Sequence, residues 1–265
     1  MEYLTNTGNY RKVKEKLLKN PAIFILILLF IFGCRKTMPP DIEKNWDTEG
    51  GKITFVSQFT NKESYFLVFY PESAEPPLPV LYVLGGSGDD PHHWDIVADL
   101  QSLADRYKIM IVSISSSSHL YVDIENTDDK YESYVLEIIS MVDNRYNTAK
   151  SKYLRGIGGF SLGGFGALYL AGKHPDLFMS VSVMSGGIFP DFEPDYSSLV
   201  NMDILMEVGI EDEFIADVRQ AHEILLENEV RHEYRELPGG HDWEFRIARS
   251  DDHIKFHYEN FRKYY

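Results

Sequence analysis

The stretch Gly159-Phe160-Ser161-Leu162-Gly163 constrains this chain more than any other. Ahead of it runs Tyr153-Leu154-Arg155-Gly156-Ile157-Gly158, short, apolar and rich in Gly and Ile, which reads as a buried strand. Behind it, Gly164 to Ala171 has helical composition and spacing. A chain that passes from strand to helix within two residues lifts the intervening serine out of the sheet and exposes its hydroxyl. Small residues two before and two after that serine let the backbone turn so tightly. The setting, more than the five letters, predicts the nucleophile elbow of a serine hydrolase at Ser161.

The rest of the chain supplies the fold around it. Ile53–Phe59 and Tyr65–Tyr70, joined through Asn61 and Lys62, predict an antiparallel hairpin. Val80–Leu84 is a continuous apolar run entering Gly85-Gly86-Ser87-Gly88, a buried strand leading into a loop. The order continues with a helix over Trp94–Tyr107, a strand over Ile109–Ile114 and an amphipathic helix over Tyr131–Tyr146. After the elbow come strands Phe178–Met184 and Ile204–Val208, a helix Phe214–Glu229 and a last strand Glu233–Leu237. Strands alternating with helices predict an α/β fold, a mostly parallel central sheet covered on both faces. The connections are short, so no lid domain is expected and the site is expected to be open. No repeat is evident, and 44% hydrophobic residues with 14% aromatics exclude a disordered chain.

The first residues read differently. Arg11, Lys12, Lys14, Lys16 and Lys19 form a basic run, Ala22–Phe32 is almost unbroken apolar sequence, and Gly33-Cys34 follows. This is the layout of a secretory signal, and the apolar run falls short of the roughly 20 residues a spanning helix needs. Ile31-Phe32-Gly33-Cys34 resembles the bacterial lipobox, and Cys34 is the only cysteine in the protein. Residues 1–34 are therefore expected to be a signal peptide with Cys34 lipidated, residues 35–51 a linker and residues 52–265 the domain. An uncleaved N-terminal anchor is the alternative, and either reading places the domain outside the cytoplasm on a membrane tether. Without the first 34 residues, 21 basic side chains stand against 39 acidic ones, a formal charge of −18. A body that acidic argues against nucleic acid and anionic lipid heads as partners.

A serine hydroxyl needs a base beside it and an acid to orient the base, and on an α/β-hydrolase fold the chain order is Ser, acid, His. Of nine histidines, His92, His93, His119 and His174 precede or crowd the serine, His222 and His232 sit in a helix and at a strand edge, and His253 and His257 lie in a terminal helical stretch. His241 follows the last strand in Pro238-Gly239-Gly240-His241-Asp242, where glycines let it swing over the serine, and is the expected general base. The acid is expected after strand Ile204–Val208, where Glu211-Asp212-Glu213 stand in a row; Asp212 is favoured, with Glu211 its competitor. The oxyanion hole requires two backbone N–H groups. One is expected from Leu162, the other from Gly86 or Ser87. No metal ligand set and no phosphate loop emerge, so no cofactor is expected.

These features together resemble the putative esterase family (esterase D type), which includes S-formylglutathione hydrolases, feruloyl esterases, enterochelin esterase-like enzymes and antigen 85 acyltransferases. The resemblance spans roughly Ile53 to Phe261. It rests on Val80–Gly86, Tyr121-Val122-Asp123, Gly159–Gly164, His174–Phe178, Ser185-Gly186-Gly187 and the acid and histidine loops. It implies an α/β-hydrolase fold and a triad of Ser161, Asp212 and His241. The family usually has His-Gly where this chain has Gly85-Gly86. With the export signal, the resemblance implies a serine carboxylesterase acting on acyl decorations of carbohydrate, feruloyl or acetyl. A siderophore-lactone esterase and an acyltransferase are the alternatives; an intact Ser161, Asp212 and His241 speak against a non-catalytic surface-binding lipoprotein.

Overall fold

A computed structural model describes residues 50–265. The expected signal segment, Cys34 and most of the linker lie outside the described residues. Eight strands form one sheet: β1 (Lys52–Val56), β2 (Glu63–Phe69), β3 (Val80–Leu84), β4 (Met110–Ile114), β5 (Arg155–Phe160), β6 (Ser180–Met184), β7 (Asp203–Gly209) and β8 (Glu233–Leu237). They lie in the order β1-β2-β4-β3-β5-β6-β7-β8. The hairpin β1–β2 and the β2–β4 pair are antiparallel; every pair from β4 to β8 is parallel. This is the mostly parallel α/β-hydrolase sheet with its N-terminal hairpin.

The helices are α1 (His93–Ala98), α2 (Leu100–Tyr107), α3 (Tyr131–Arg145), α4 (Leu162–Lys173), the short α5 (Tyr196–Leu199), α6 (Ile215–Glu227) and α7 (Trp243–Phe261). Alternate residues of β3 show why both faces need cover. Val80, Tyr82 and Leu84 join the core shared with α3, α4 and α6, whereas Leu81 and Val83 join the core shared with α1, α2 and α7. The single helix expected over Trp94–Tyr107 is two. Asp99 takes the left-handed conformation (φ 44°, ψ 65°), and Asp95 Oδ1 accepts the Leu100 N–H at 2.8 Å in place of a helical carbonyl. The short α5 was not anticipated.

Two features of the sheet position a site. Successive strands build outward from β3 to β4 on one side and from β5 to β8 on the other, so the order reverses between β3 and β5. The crevice beyond the carboxyl ends of strands at such a reversal is where open α/β sheets bind ligands. Register then aligns those ends: Leu84 pairs with Gly159, Phe160 with Met184, Met184 with Glu207 and Gly209 with Leu237. The turns after β3, β5, β6, β7 and β8 therefore emerge along one edge. The longest connection, residues 115–130, is tied to that edge by Tyr121, whose buried hydroxyl donates to the Gly85 carbonyl at 3.0 Å.

Candidate active site

Ser161 stands between β5 and α4 with φ 55° and ψ −117°, a positive φ that a non-glycine residue adopts only when its surroundings enforce it. The enforcement is visible. Its N–H donates to the Met184 carbonyl at 2.8 Å, and the neighbouring glycines remove every side chain that would block the turn. A Cβ at Gly159 would fall on the Gly163 carbonyl, and one at Gly163 on the Leu84 carbonyl. The two outer glycines of the motif are thus required by backbone approaching backbone, first within the turn and then between α4 and the end of β3.

The turns after β7 and β8 meet in the same way. A Cβ at Gly209 would strike the Gly239 carbonyl, so only glycine lets the two loops touch. Glu211 N–H donates to that carbonyl at 3.0 Å, and Gly239 N–H, on a residue with φ 132°, returns a bond to Glu211 Oε2 at 2.7 Å. This spends the Glu211 carboxylate on backbone and points Asp212 at His241. Asp212 Oδ1 accepts the Phe214 N–H at 2.7 Å, and Oδ2 lies 3.0 Å from His241 Nδ1. His241 Nε2 lies 3.0 Å from Ser161 Oγ. The Asp212 side chain is fully buried and that of His241 nearly so. Burial pushes the Asp212 carboxyl up, but the bonds from His241 and from the Phe214 N–H outweigh it and hold the group below the ordinary carboxylate range.

An ionised carboxylate only accepts, so the His241 proton sits on Nδ1, and Nε2 presents a lone pair to the Ser161 hydroxyl. The imidazole is fixed from both sides by Phe160, with ring centroids 4.7 Å apart, and by Phe214 edge-on at 4.8 Å. The structure therefore brings together the serine, histidine and acid singled out in the sequence. It joins Asp212, rather than Glu211, to the histidine.

The turn after β3 lies against the serine: a Cβ at Gly86 would be 3.5 Å from that of Ser161. Its amides sort the expected donors. Gly85 N–H bonds the Ile114 carbonyl (2.9 Å), Gly86 N–H the Asp89 carboxylate (2.8 Å) and Gly88 N–H the Ser117 carbonyl (2.7 Å). The Gly86 N–H, one of the two expected from this turn, is thus engaged by the Asp89 carboxylate. Ser87 N–H has no acceptor among the described residues, and Leu162 N–H, first of α4, is one of the amides a helix N-terminus leaves unpaired. Among the described residues no cluster of His, Cys, Asp and Glu has the geometry to hold a metal ion.

Sequence reading passed over two groups at this edge. Asp89 is buried behind the β3 turn, and Arg246 is buried on α7 and paired with it at 3.0 Å. His253 and His257, set aside on their position, are buried under the sheet: His257 bonds the Ser180 and Ser182 hydroxyls at 2.7 and 2.9 Å, and His253 approaches Glu207 at 3.1 Å.

Known proteins bear on this edge in a consistent way. The family model described as Putative esterase matches residues 57–255. An acetyl esterase of Caldicellulosiruptor saccharolyticus is 23% identical over 245 residues, covering 73% of this chain and 92% of that protein. Among solved structures, a ferulic acid esterase superposes with a TM-score of 0.70 at 22% identity, covering 79% of this chain and 97% of the other. An S-formylglutathione hydrolase from Agrobacterium tumefaciens also gives 0.70, at 19% identity, with coverage of 80% and 95%. With the family model spanning most of the chain and the sheet superposing on α/β-hydrolases, this chain belongs to the putative esterase family and is a carboxylic ester hydrolase.

Proposed function

We propose that the chain is a serine carboxylesterase in which Ser161 is the nucleophile, His241 the general acid–base and Asp212 the group that orients it. The single observation that carries this reading is the line of hydrogen bonds from Ser161 Oγ through His241 to Asp212, set on a strained strand-to-helix turn. Ser161 Oγ attacks the ester carbonyl as His241 Nε2 takes its proton. The carbonyl oxygen becomes an oxyanion, held by the N–H groups of Leu162 and Ser87. Collapse expels the alcohol, which takes the proton from His241, and leaves an acyl group on Ser161. Water, deprotonated by His241, then attacks the acyl-enzyme, and collapse breaks the acyl–Oγ bond as His241 returns the proton to Ser161 Oγ, releasing the acid and restoring the enzyme. Asp212 keeps the imidazole in the productive tautomer and stabilises the imidazolium formed in both halves.

Acyl decorations on carbohydrate, acetyl or feruloyl, are the favoured substrates. Support comes from the similarity to an acetyl esterase and to a ferulic acid esterase fold. The basic run, the apolar segment Ala22–Phe32 and Cys34 support export and a lipid anchor on the Cys34 thiol, which would hold the enzyme at the cell envelope. A panel of p-nitrophenyl acetate, methyl ferulate, acetylated xylan and a tricatechol lactone, assayed with wild type and Ser161→Ala, tests the reading. Turnover of acetyl or feruloyl esters that vanishes in Ser161→Ala is expected. Preference for the lactone refutes the substrate class, and acyl transfer to an added sugar alcohol that exceeds hydrolysis refutes hydrolysis.

A further inference from the structure

Asp89 closes the turn that carries Ser87 from both ends: its Oδ2 accepts the Gly86 N–H at 2.8 Å, and its own N–H donates to the Gly86 carbonyl at 3.2 Å. The same Oδ2 accepts Arg246 Nη1 at 3.0 Å. Arg246 is 2% exposed and Asp89 8%, so two full charges have been taken out of water beside the nucleophile. Aromatic rings surround the guanidinium, whose Cζ lies 4.6 Å from the Phe160 centroid, 4.9 Å from Trp243 and 5.1 Å from Trp94. Arg246 Nε and Nη2 meet no hydrogen-bond acceptor among the described residues.

Each ring belongs to the site. Phe160 precedes Ser161 and packs on His241, Trp243 opens the helix behind His241, and Trp94 Nε1 donates to the Leu84 carbonyl at the root of the turn (2.8 Å). His93 Nδ1 lies 3.2 Å from Asp89 Oδ1, but the Asp90 N–H points at the same nitrogen at 2.8 Å. Arg246, charged at any ordinary pH, is thus the permanent counter-charge of Asp89. A buried ion pair is a poor device for stability, since an apolar pair of similar volume is often as good or better. What a carboxylate does here and an apolar side chain cannot is hold the Gly86 amide inward.

We propose that Asp89 and Arg246 are a positioning pair: Arg246 fixes the Asp89 carboxylate, and Asp89 turns the Gly86 amide inward so that the next amide, Ser87 N–H, faces the oxyanion. This rests on the reading that Ser161 turns over esters. The pair also couples the histidine helix to the oxyanion turn, because Arg246 lies on α7 just beyond His241.

The test uses the full chain, with Asp89→Ala, which leaves the Gly86 N–H no acceptor, and, because a lone buried cation threatens folding, the charge-free double variant Asp89→Leu/Arg246→Met. Ser161 is titrated with a fluorophosphonate, and kcat per titrated serine, KM and inhibition by a boronic acid are measured on p-nitrophenyl acetate. The expected result is a fall of about ten- to a hundredfold in kcat per titrated serine, short of the 10²–10³ for removing an oxyanion donor outright. KM should stay within about twofold and boronate inhibition weaken in step. Variants that titrate and keep wild-type kcat per serine overturn the proposal, as does a loss confined to thermal stability. In wild type, boronate binding should shift the Ser87 amide proton and leave that of Gly86 in place; the reverse overturns it without any variant. A wild type that turns over no ester and does not label at Ser161 defeats the esterase reading first, and this inference with it.

Discussion

Replacing Asp212 by Asn separates the orienting acid from a merely buried polar residue. The substitution is isosteric, so packing is preserved. Asparagine, however, has one acceptor oxygen where the carboxylate serves two donors, Phe214 N–H at 2.7 Å and His241 Nδ1 at 3.0 Å. The Phe214 amide is fixed backbone, and leaving a buried donor unpaired costs about 1–3 kcal/mol. The asparagine oxygen therefore stays on Phe214 and its NH₂ faces His241. Nδ1 must then accept, the proton moves to Nε2, and the lone pair that Ser161 needs is gone. The imidazolium formed during attack also loses its counter-charge, an attraction of about 4 kcal/mol for unit charges 4 Å apart at an effective dielectric of 20. Together these predict a fall in kcat of about 10³- to 10⁵-fold, bracketing the ≈ 10⁴ seen when the same change is made in a serine protease triad. KM and thermal stability should move little. Glu211→Gln is the control: its Oε2 serves the exposed Gly239 amide, which glutamine can also accept, so activity should change by no more than about twofold. The assay is steady-state hydrolysis of p-nitrophenyl acetate, corrected for the titrated serine. A loss below tenfold in Asp212→Asn, or an equal loss in Glu211→Gln, refutes the reasoning.

Three further outcomes are expected. Gly163→Ala places a Cβ on the Leu84 carbonyl, backbone that cannot step aside, so unfolding should be easier by about 1–3 kcal/mol or more and activity should drop; an unchanged Tm contradicts the close approach of α4 to β3. His257 is completely buried and burial lowers its pKa to about 3. Between pH 6.5, where an unfolded histidine titrates, and about 3, the unfolded chain holds a proton that the folded ring refuses. Stability should therefore fall with acid by about 1.4 kcal/mol per pH unit from this group. The ring's NMR resonances should stay put from pH 7 to 4, and a midpoint near 6.5 disproves it. Cys34→Ser should abolish labelling by a radioactive fatty acid and release the enzyme from the membrane fraction; retention in that fraction favours an uncleaved anchor.

What could be read from sequence depended on whether the relevant partner was local. The elbow was legible because its constraints are short-range: Gly159 and Gly163 are small for reasons within a few residues and the adjoining strand end. His241 was legible by elimination along the chain. Asp212 was favoured but Glu211 stayed a competitor, because adjacent carboxylates differ only in which backbone each one meets, and that depends on Gly209 touching Gly239 across two loops. The helix break at Asp99 was hidden since the apolar spacing runs through it, and the left-handed residue is not a glycine. Gly156 and Gly158 looked like ordinary small residues of a buried strand. Gly156 is small because His257, about a hundred residues later, lies on that face of β5, and Gly158 because the Ser182 hydroxyl of β6, itself bonded to His257, occupies the space. The Asp89–Arg246 pair, 157 residues apart, carries no local signature at all, and an arginine on an amphipathic helix is ordinarily a solvated one.

The central claim is that ester hydrolysis passes through Ser161. Full-length protein treated with a fluorophosphonate and digested should carry one adduct, on the peptide containing Gly159–Gly163, with activity lost in proportion to labelling. Ser161→Ala should neither label nor hydrolyse p-nitrophenyl acetate above about 10⁻⁶ of the wild-type kcat, the scale of what remains when the triad serine is removed. An adduct on another residue, or hydrolysis that survives the substitution, contradicts the account.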